Sequence, residues 1–232
     1  MDVLVIDIGG SSVKLFLSST HDTNRFDSGP GLMPDEFIRQ VRAHTEGWSY
    51  DVVSIGYPGR VGPTGPTEEP GNLGDGWVGF DFEAALQRPM LMVNDAILQA
   101  LGGYAGGKML FLGLGTGLGS ALVTSSFVVP LELGGLPYNR KQMLWERLGR
   151  EGLERYGKDA WMETLTEATL RLRNALSADY VLLGGGNAEQ VDPLPEGAQR
   201  GGNEDAFLGG VRLWEDGVQH HEGDTTRMWS VL

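Results

Sequence analysis

Three glycine-rich turns carry the residue types in this sequence that are best suited to binding an anion. Gly9–Ser12 and Gly115–Gly117 each lie between two apolar runs and include a hydroxyl residue, and Gly184–Gly186 follows the apolar run Tyr180–Leu183. Backbone N–H groups exposed in such turns form anion nests, most often for phosphate. One turn alone is more simply a hairpin without a ligand, but two matching turns and a third favour phosphate binding. The candidate residues are Gly9, Gly10, Ser11, Ser12, Gly115, Thr116, Gly117, Gly184, Gly185 and Gly186.

These turns differ from the two best-known phosphate-binding loops. No Gly-Lys-Ser/Thr follows them, which excludes a Walker A loop. The segment Gly115–Ser120 lacks the last glycine of the dinucleotide fingerprint, and a strand is predicted after it where a helix is required. The sequence therefore predicts a different kind of phosphate site, built on hairpins.

Asp7 ends a predicted buried strand, where an unpaired carboxylate is costly. A Mg²⁺ ion held directly or through water would offset that cost. The N–H groups of the following turn would also do so, and the two interpretations are compatible. Lys14 lies on the returning strand and could reach a phosphate, although a solvated strand lysine is the simpler interpretation.

Asn94 and Asp95 lie where a predicted strand ends and a helix begins. Either residue could be the N-cap of that helix, since both types are favoured there. The functional interpretation makes Asp95 a general base that takes the proton of an attacking hydroxyl. Spacing alone favours the cap.

Other classes of site are disfavoured by composition. The absence of cysteine excludes disulfides, thiolate metal sites and a cysteine nucleophile, and no zinc site is expected because the four histidines lie outside the glycine motifs. The Gly-x-Ser-x-Gly elbow of a serine hydrolase is also missing. The net charge of −13 argues against nucleic acid or an anionic membrane as the main partner.

Charge is distributed unevenly along the chain. Residues 139–175 carry eight basic and six acidic side chains, whereas the whole chain is strongly acidic. A solvated helix face with mixed charges explains this balance, and a cationic track for a polyanion is the alternative. The apolar runs are too short to span a bilayer and no basic leader region is visible, so a cytoplasmic protein is expected.

The hydrophobic pattern predicts an α/β fold with an internal duplication. Val3–Ile8 and Val13–Leu17 form one predicted hairpin, and Met109–Leu112 and Ser120–Val123 form a second one built alike. We therefore expect two lobes, residues 1–100 and 101–214, followed by a polar, frayed extension at 215–232. Further helices are predicted at 34–44, 82–86, 96–101, 140–177 and 206–214, and further strands at 52–55, 89–93 and 180–183.

At this point the chain resembles the ROK (repressor, ORF, kinase) group of actin-like sugar kinases. Asp7–Lys14 is similar to the first phosphate motif of that family, and Tyr180–Ala188 and Asn203–Trp214 are most similar to its polyphosphate glucokinase branch. The resemblance covers about residues 2–214. Five further segments follow in the order of the family, namely Gly56–Gly59, Asn72–Leu73, Asn94–Ala96, Leu112–Gly119 and Glu132–Gly134.

The resemblance implies a two-lobed, RNase H-like fold and a sugar kinase active site in the cleft. Asp95 then corresponds to the catalytic base for the 6-hydroxyl of the sugar, and Asn72, Asn94 and Glu132 to sugar contacts. The first two turns correspond to phosphate clamps and the third to the nucleotide side. The family also implies Mg²⁺, a phosphoryl donor that is either ATP or polyphosphate, and a homodimer.

Two departures from the family pattern affect these expectations. The family usually has Glu-x-Gly-His, whereas this chain has Gly135 where the sugar-binding histidine would be. A site that lacks a polar partner loses discrimination, so the identity of the sugar stays open. A non-catalytic sugar- or phosphate-binding protein is the alternative function. The cysteine-rich zinc motif of many relatives is absent, as in the polyphosphate branch, and no helix-turn-helix precedes Asp7, so a DNA-binding regulator is not expected.

Overall fold

The computed structural model describes residues 1–202, 204–215, 218–221 and 228–231. Asn203, which belongs to the last segment of the family resemblance, lies outside the described residues. So do residues 216–217, 222–227 and 232 of the predicted extension. The described chain forms two β-sheets with helices packed on them, which confirms the α/β class.

The N-terminal half of the chain folds around a five-stranded sheet. Its strands are β1 (Val3–Ile8), β2 (Ser12–Leu17), β3 (Thr23–Asp27), β4 (Val52–Tyr57) and β7 (Met90–Asn94), while β5 (Val61–Gly62) and β6 (Gly65–Pro66) pair separately. The sheet order is β3-β2-β1-β4-β7. The predicted hairpin β1–β2 is confirmed as antiparallel, whereas β1, β4 and β7 run parallel.

The second sheet repeats this arrangement. Its region contains β8 (Met109–Leu114), β9 (Leu118–Val123), β10 (Val128–Leu131), β11 (Pro137–Asn139), β12 (Gln142–Met143), β13 (Tyr180–Gly184), β14 (Ala198–Arg200), β15 (Val218–His221) and β16 (Met228–Val231). The sheet order is β14-β13-β8-β9-β10-β16-β15, while β11 and β12 pair separately. From β10 to β14 the order and the strand directions match those from β3 to β7 in the first sheet. The predicted duplication of the hairpin unit is therefore confirmed.

Helices cover the outer face of each sheet and fill the space between them. They are α1 (Pro34–His44), α2 (Phe82–Leu86), α3 (Asp95–Gly103), α4 (Leu144–Leu148), α5 (Arg150–Ala175) and α6 (Asp205–Arg212). The core under α1 and α2 belongs to the first sheet, and the core under α4 and α5 to the second. A central core around α3 and α6 joins the two, with Val5 and Phe111 both in it. None of the helices in the described ranges is long and apolar enough to cross a bilayer.

The predicted boundary between residues 1–100 and 101–214 falls within α3. Helix α6, from the second of these segments, packs on the first sheet, where Ser54 Oγ donates a hydrogen bond to the carbonyl of Gly210 at 2.6 Å. The last helix thus crosses back to the first lobe, and the division at residue 100 stays a prediction.

Two predicted features of the C-terminal half differ from the structure. The predicted helix 140–177 is divided into α4 and α5, because Gly149 lies against Thr116, where a Cβ would come within 2.4 Å of its carbonyl oxygen. Gly157, with a φ of 78°, introduces a further kink in α5. Within the extension that was predicted to be frayed, the described residues form β15 and β16; β16 pairs with the edge of β10, and β15 pairs with β16.

Helix α3 also runs further than predicted, since Gly102 and Gly103 belong to it rather than ending it. These glycines allow α6 to cross α3 at very short range. A Cβ on Gly102 would lie 1.8 Å from the carbonyl oxygen of Asp205, and a Cβ on Gly209 would lie 1.8 Å from that of Leu98. The crossing of α3 and α6 therefore requires glycine at both positions.

Gly209→Ala is accordingly expected to destabilise the protein although alanine is the better helix former. Alanine gains about 0.5–1 kcal/mol of helix propensity, but forcing the helices apart costs about 1–3 kcal/mol. Urea unfolding should show a lower midpoint for Gly209→Ala than for wild type. Gly31→Ala is the matched control, because a Cβ there meets no atom within 4 Å. Equal midpoints for both variants would contradict the close crossing.

Candidate active site

The tips of the first two glycine turns face each other. A Cβ built on Gly10 would lie 2.9 Å from Thr116 Oγ1 and 2.9 Å from Asn72 Nδ2. The hairpins that carry these turns come from different sheets, so their meeting is produced by the packing of the two lobes. The structure thus brings together the two predicted phosphate turns and one predicted sugar contact.

The third turn lies beside the second. A Cβ on Gly185 would come within 2.8 Å of the backbone of Leu114, and Asn187 Nδ2 donates to the carbonyl of Gly115 at 3.3 Å. The backbone N–H of Gly185 donates to Gln99 Oε1 at 3.1 Å, which ties the turn to α3. All three predicted turns therefore border one region.

Four backbone N–H groups in the first two turns are available to a ligand. Gly9 N donates to the carbonyl of Ser12, and Gly115 N to the carbonyls of Gly113 and Gly117. Within the described residues, by contrast, the N–H groups of Gly10, Ser11, Thr116 and Gly117 donate to no protein acceptor. These four N–H groups are accessible and lie in glycine turns, so they are suited to the oxygens of an anion.

Asp7 lies at the end of β1 and is 6% exposed. Burial raises the pKa of its carboxyl, and the charge of Lys14 opposes that rise. Lys14 is the register partner of Asp7 on β2, and its Nζ lies 3.8 Å from Asp7 Oδ2. Lys14 is thus a strand lysine that is exposed to solvent and lies within ion-pair distance of Asp7.

The structure shows which of the two residues Asn94 and Asp95 is the N-cap of α3. Asn94 is the N-cap of α3, with its Oδ1 accepting from Ala96 N at 2.9 Å, and its Nδ2 donates to the carbonyl of Gly59 at 3.1 Å. Asp95 is the first helical residue, and its Oδ1 also accepts from Ala96 N at 2.9 Å. The cap role thus belongs to Asn94.

The surroundings of the Asp95 carboxyl raise its pKa. Burial raises its pKa to about 7, and the charge of Asp7 and, to a smaller extent, that of Glu132 act in the same direction. Asp7, at the end of β1, and Asp95, at the start of α3, are therefore close enough for the charge of one carboxyl to act on the other. A carboxyl with a pKa near neutrality is suited to general-base chemistry.

Replacement of Asp95 by Asn tests this pKa through stability. The raised pKa means that the folded protein holds a proton that the unfolded chain releases near pH 4, so the wild type loses stability as the pH rises from about 4 to about 7. Asn cannot ionise. Urea unfolding should therefore show Asp95→Asn to be more stable than wild type at pH 8, with the difference disappearing at pH 4. A difference that is the same at both pH values would contradict the raised pKa.

Comparison with known proteins places the fold. No family model matches the chain. The polyphosphate glucokinase of Mycobacterium leprae is 26% identical over 210 residues, covering 81% of this chain but 64% of that protein, so the chain spans slightly less than two thirds of its relative. The inorganic polyphosphate/ATP-glucomannokinase of Arthrobacter sp. strain KM superimposes with a TM-score of 0.77 at 21% identity, over 90% of this chain and 96% of the other. A ROK family glucokinase from Streptomyces griseus, solved with glucose and AMPPNP, gives 0.67 at 15% identity, over 92% and 99% of the two chains.

The chain has the fold of the ROK sugar kinases. The resemblance inferred from the sequence motifs is thereby confirmed at the level of the fold.

The remaining predicted sugar contact, Glu132, lies on the surface near the position where the family has histidine. Glu132 is exposed, precedes a 3₁₀ turn at Leu133–Gly135, and has its Oε1 4.0 Å from Arg60 Nε. A Cβ on Gly135 would meet no heavy atom within 4 Å. The position where the family has histidine is thus open space, and no neighbouring side chain has moved in to replace it.

Arg150 is a site residue that the sequence interpretation missed. It begins α5, its backbone N donates to the carbonyl of Gly115 at 2.9 Å, and its Nη1 donates to Ser11 Oγ at 3.4 Å. The positive balance of residues 139–175 was the available signal. That balance could not distinguish Arg150 from the other seven basic residues, because only the fold shows which one reaches the turns.

Proposed function

We propose that the protein transfers a phosphoryl group from ATP or inorganic polyphosphate to the 6-hydroxyl of a hexose. The observation that carries this proposal is the convergence of Asp95, whose pKa is about 7, with four free N–H groups on two facing glycine turns. The similar proteins, a polyphosphate glucokinase, a polyphosphate/ATP-glucomannokinase and a ROK glucokinase solved with glucose and AMPPNP, support the same class of reaction.

In the proposed reaction the donor lies along the glycine turns. The N–H groups of Gly10, Ser11, Thr116 and Gly117 bind its phosphate oxygens and so stabilise the charge that spreads over them in the transition state. The sugar oxygen forms a bond to the terminal phosphorus as the bond to the leaving phosphate breaks. The proton of the hydroxyl passes to the Asp95 carboxylate, and ADP or a shortened polyphosphate leaves.

Asn72, Asn94 and Glu132 are the proposed sugar contacts. Asn72 already lies beside the first turn, so a hydroxyl bound to it would be close to the terminal phosphate. Asn94 uses its side-chain oxygen and one amide hydrogen within the protein, which holds the amide rigid and leaves a second hydrogen for a sugar oxygen. Glu132, which is exposed and lies 4.0 Å from Arg60, would accept hydrogen bonds from sugar hydroxyls.

The residues present also fit a magnesium ion. No group of three or more His, Asp or Glu side chains in the described chain could hold a metal unaided. Mg²⁺, however, is usually bound by one or two carboxylates together with substrate phosphates and water, and the buried carboxylate of Asp7 beside the phosphate turns suits that arrangement. When bound, the ion would neutralise charge on the donor phosphates. The predicted homodimer and cytoplasmic location stay predictions.

A non-catalytic sugar- or phosphate-binding protein is the second candidate. Gly135 is the observation that favours it, because the open space there removes a contact that would hold the sugar for reaction. The kinase forms sugar phosphate, whereas the non-catalytic protein only binds its ligand.

A panel assay separates these functions. The protein is incubated with Mg²⁺, with ATP or polyphosphate, and with each of several hexoses, and sugar phosphate is measured by mass spectrometry. We expect product from at least one pair of donor and sugar. Binding of sugar or donor in calorimetry, without product from any pair, would favour the non-catalytic function.

A further inference from the structure

We propose that Arg150 binds the phosphate chain of the donor and acts as the cation that the glycine turns themselves lack. This inference rests on the proposed function and extends it to one further residue. It names a triphosphate chain, as in ATP or a short polyphosphate, as the chemistry that Arg150 recognises.

The position of Arg150 between the two turns is fixed by the backbone. Gly149, just before it, packs directly on the second turn, where a Cβ would lie 2.4 Å from the Thr116 carbonyl oxygen and 3.2 Å from Gly117 Cα. The 2.9 Å bond from Arg150 N to the carbonyl of Gly115 adds a second attachment. The side chain then extends to Ser11 on the first turn, so this one residue contacts the second turn through its backbone and the first through its guanidinium.

The charge around the turns calls for such a cation. Asp7 and Asp95 lie close enough for the charge of one carboxyl to act on the other, and the four free N–H groups carry only partial positive charges. Lys14, the basic residue of the first motif, lies 3.8 Å from Asp7, so its charge is shared with that carboxyl. A triphosphate chain carries several negative charges, which N–H groups alone balance poorly beside two carboxyls.

Arg150 is available to supply that charge. Among the described residues it forms no ion pair with a carboxylate, and its side chain is exposed. Its one side-chain bond, to a serine hydroxyl at 3.4 Å, is near the upper limit of hydrogen-bond length and is readily exchanged for a phosphate oxygen. A guanidinium can bind phosphate through two parallel N–H groups.

A comparison with Arg147 shows what a structural arginine looks like in the same region. Its guanidinium lies over the rings of Tyr138 and Tyr156, at 4.8 and 3.8 Å from their centroids, and its Nη2 donates to Thr164 Oγ1 at 3.1 Å. Arg147 therefore holds the β11–β12 hairpin against α5. Arg150 has no comparable packing, which leaves ligand binding as its role.

Calorimetry with inorganic tripolyphosphate tests this role without requiring turnover. We expect Arg150→Gln to raise the Kd for tripolyphosphate about tenfold or more, as expected for the loss of a charge-assisted pair. Arg150→Lys should restore part of the affinity, because it keeps the charge without the planar geometry. Arg155→Gln, on the same helix and exposed, should bind as wild type does.

Steady-state kinetics provides a second readout that a purely structural role would not move. Arg150→Gln should raise KM for the donor while leaving KM for the sugar and the melting temperature close to those of wild type. A Kd for tripolyphosphate that is the same in Arg150→Gln and wild type, or no binding by the wild type, would overturn the inference. If tripolyphosphate binds in an Arg150-dependent way but no sugar is phosphorylated, the inference stands and the proposed kinase activity fails.

Discussion

Asp95→Asn is expected to lower kcat for sugar phosphorylation by about 10²- to 10⁴-fold, the range found when a general base is removed. Asparagine keeps the size of the side chain and can still accept the bond from Ala96 N. The variant therefore loses the ability to take the proton of the sugar hydroxyl and little else. KM values for sugar and donor should change much less than kcat, and initial rates at saturating substrate measure the difference.

The pH dependence of kcat/KM shows whether the loss of activity arises from the carboxyl of Asp95, whose pKa is raised. In wild type, kcat/KM should rise with pH with a midpoint near 7, because only the deprotonated Asp95 accepts a proton. The residual activity of Asp95→Asn should lack this rise. Asp159→Asn, an exposed carboxyl on α5, is the control and should match wild type. A wild-type profile that stays flat between pH 5.5 and 8.5 would contradict the assignment of the base.

Gly10→Val is expected to reduce kcat/KM for the donor by about 10²-fold. The added Cβ would lie 2.9 Å from both Thr116 Oγ1 and Asn72 Nδ2, so the branched side chain separates the two turns and occupies the space between them. A displacement of about 1 Å in a reacting complex is enough for a loss of this size. Donor titrations at a fixed, saturating sugar concentration measure the effect.

Gly31→Val controls for the general cost of valine in a glycine-rich loop, because a Cβ on Gly31 has open space around it. Circular dichroism and thermal unfolding of both variants show whether they remain folded. A folded Gly10→Val protein with the donor KM and kcat of wild type would mean that the donor does not bind at the facing turns.

Local sequence signals predicted the elements that carry the site. The hairpins at Val3–Leu17 and Met109–Val123, and helix α1, follow from short-range features: β-branched runs, glycine turns, and Pro34 at the start of an amphipathic segment. The same pattern of strand, glycine turn and returning strand occurs in both halves of the sequence, and this recurrence was enough to predict the duplication.

Features that depend on contacts between distant segments could not be predicted in this way. The pKa of Asp95 depends on its burial in the folded chain and on the charge of Asp7, which lies far away in sequence. The length of α3 is set by its crossing with α6, so Gly102 gave the wrong signal for a helix end. The role of Arg150 likewise depends on the packing of Gly149 against Thr116, which interrupts a segment that reads as one continuous helix.

The most direct test of the proposed function is the identity of the product. Hexose labelled with ¹³C at C6 is incubated with the protein, Mg²⁺ and either ATP or polyphosphate, and the reaction is followed by ³¹P and ¹³C NMR. The proposed mechanism predicts a phosphate monoester with phosphorus coupling at C6, formed by wild type and by Asp159→Asn but not detectably by Asp95→Asn over the same time. Release of inorganic phosphate alone, a phosphate on another carbon, or equal product from Asp95→Asn would contradict it.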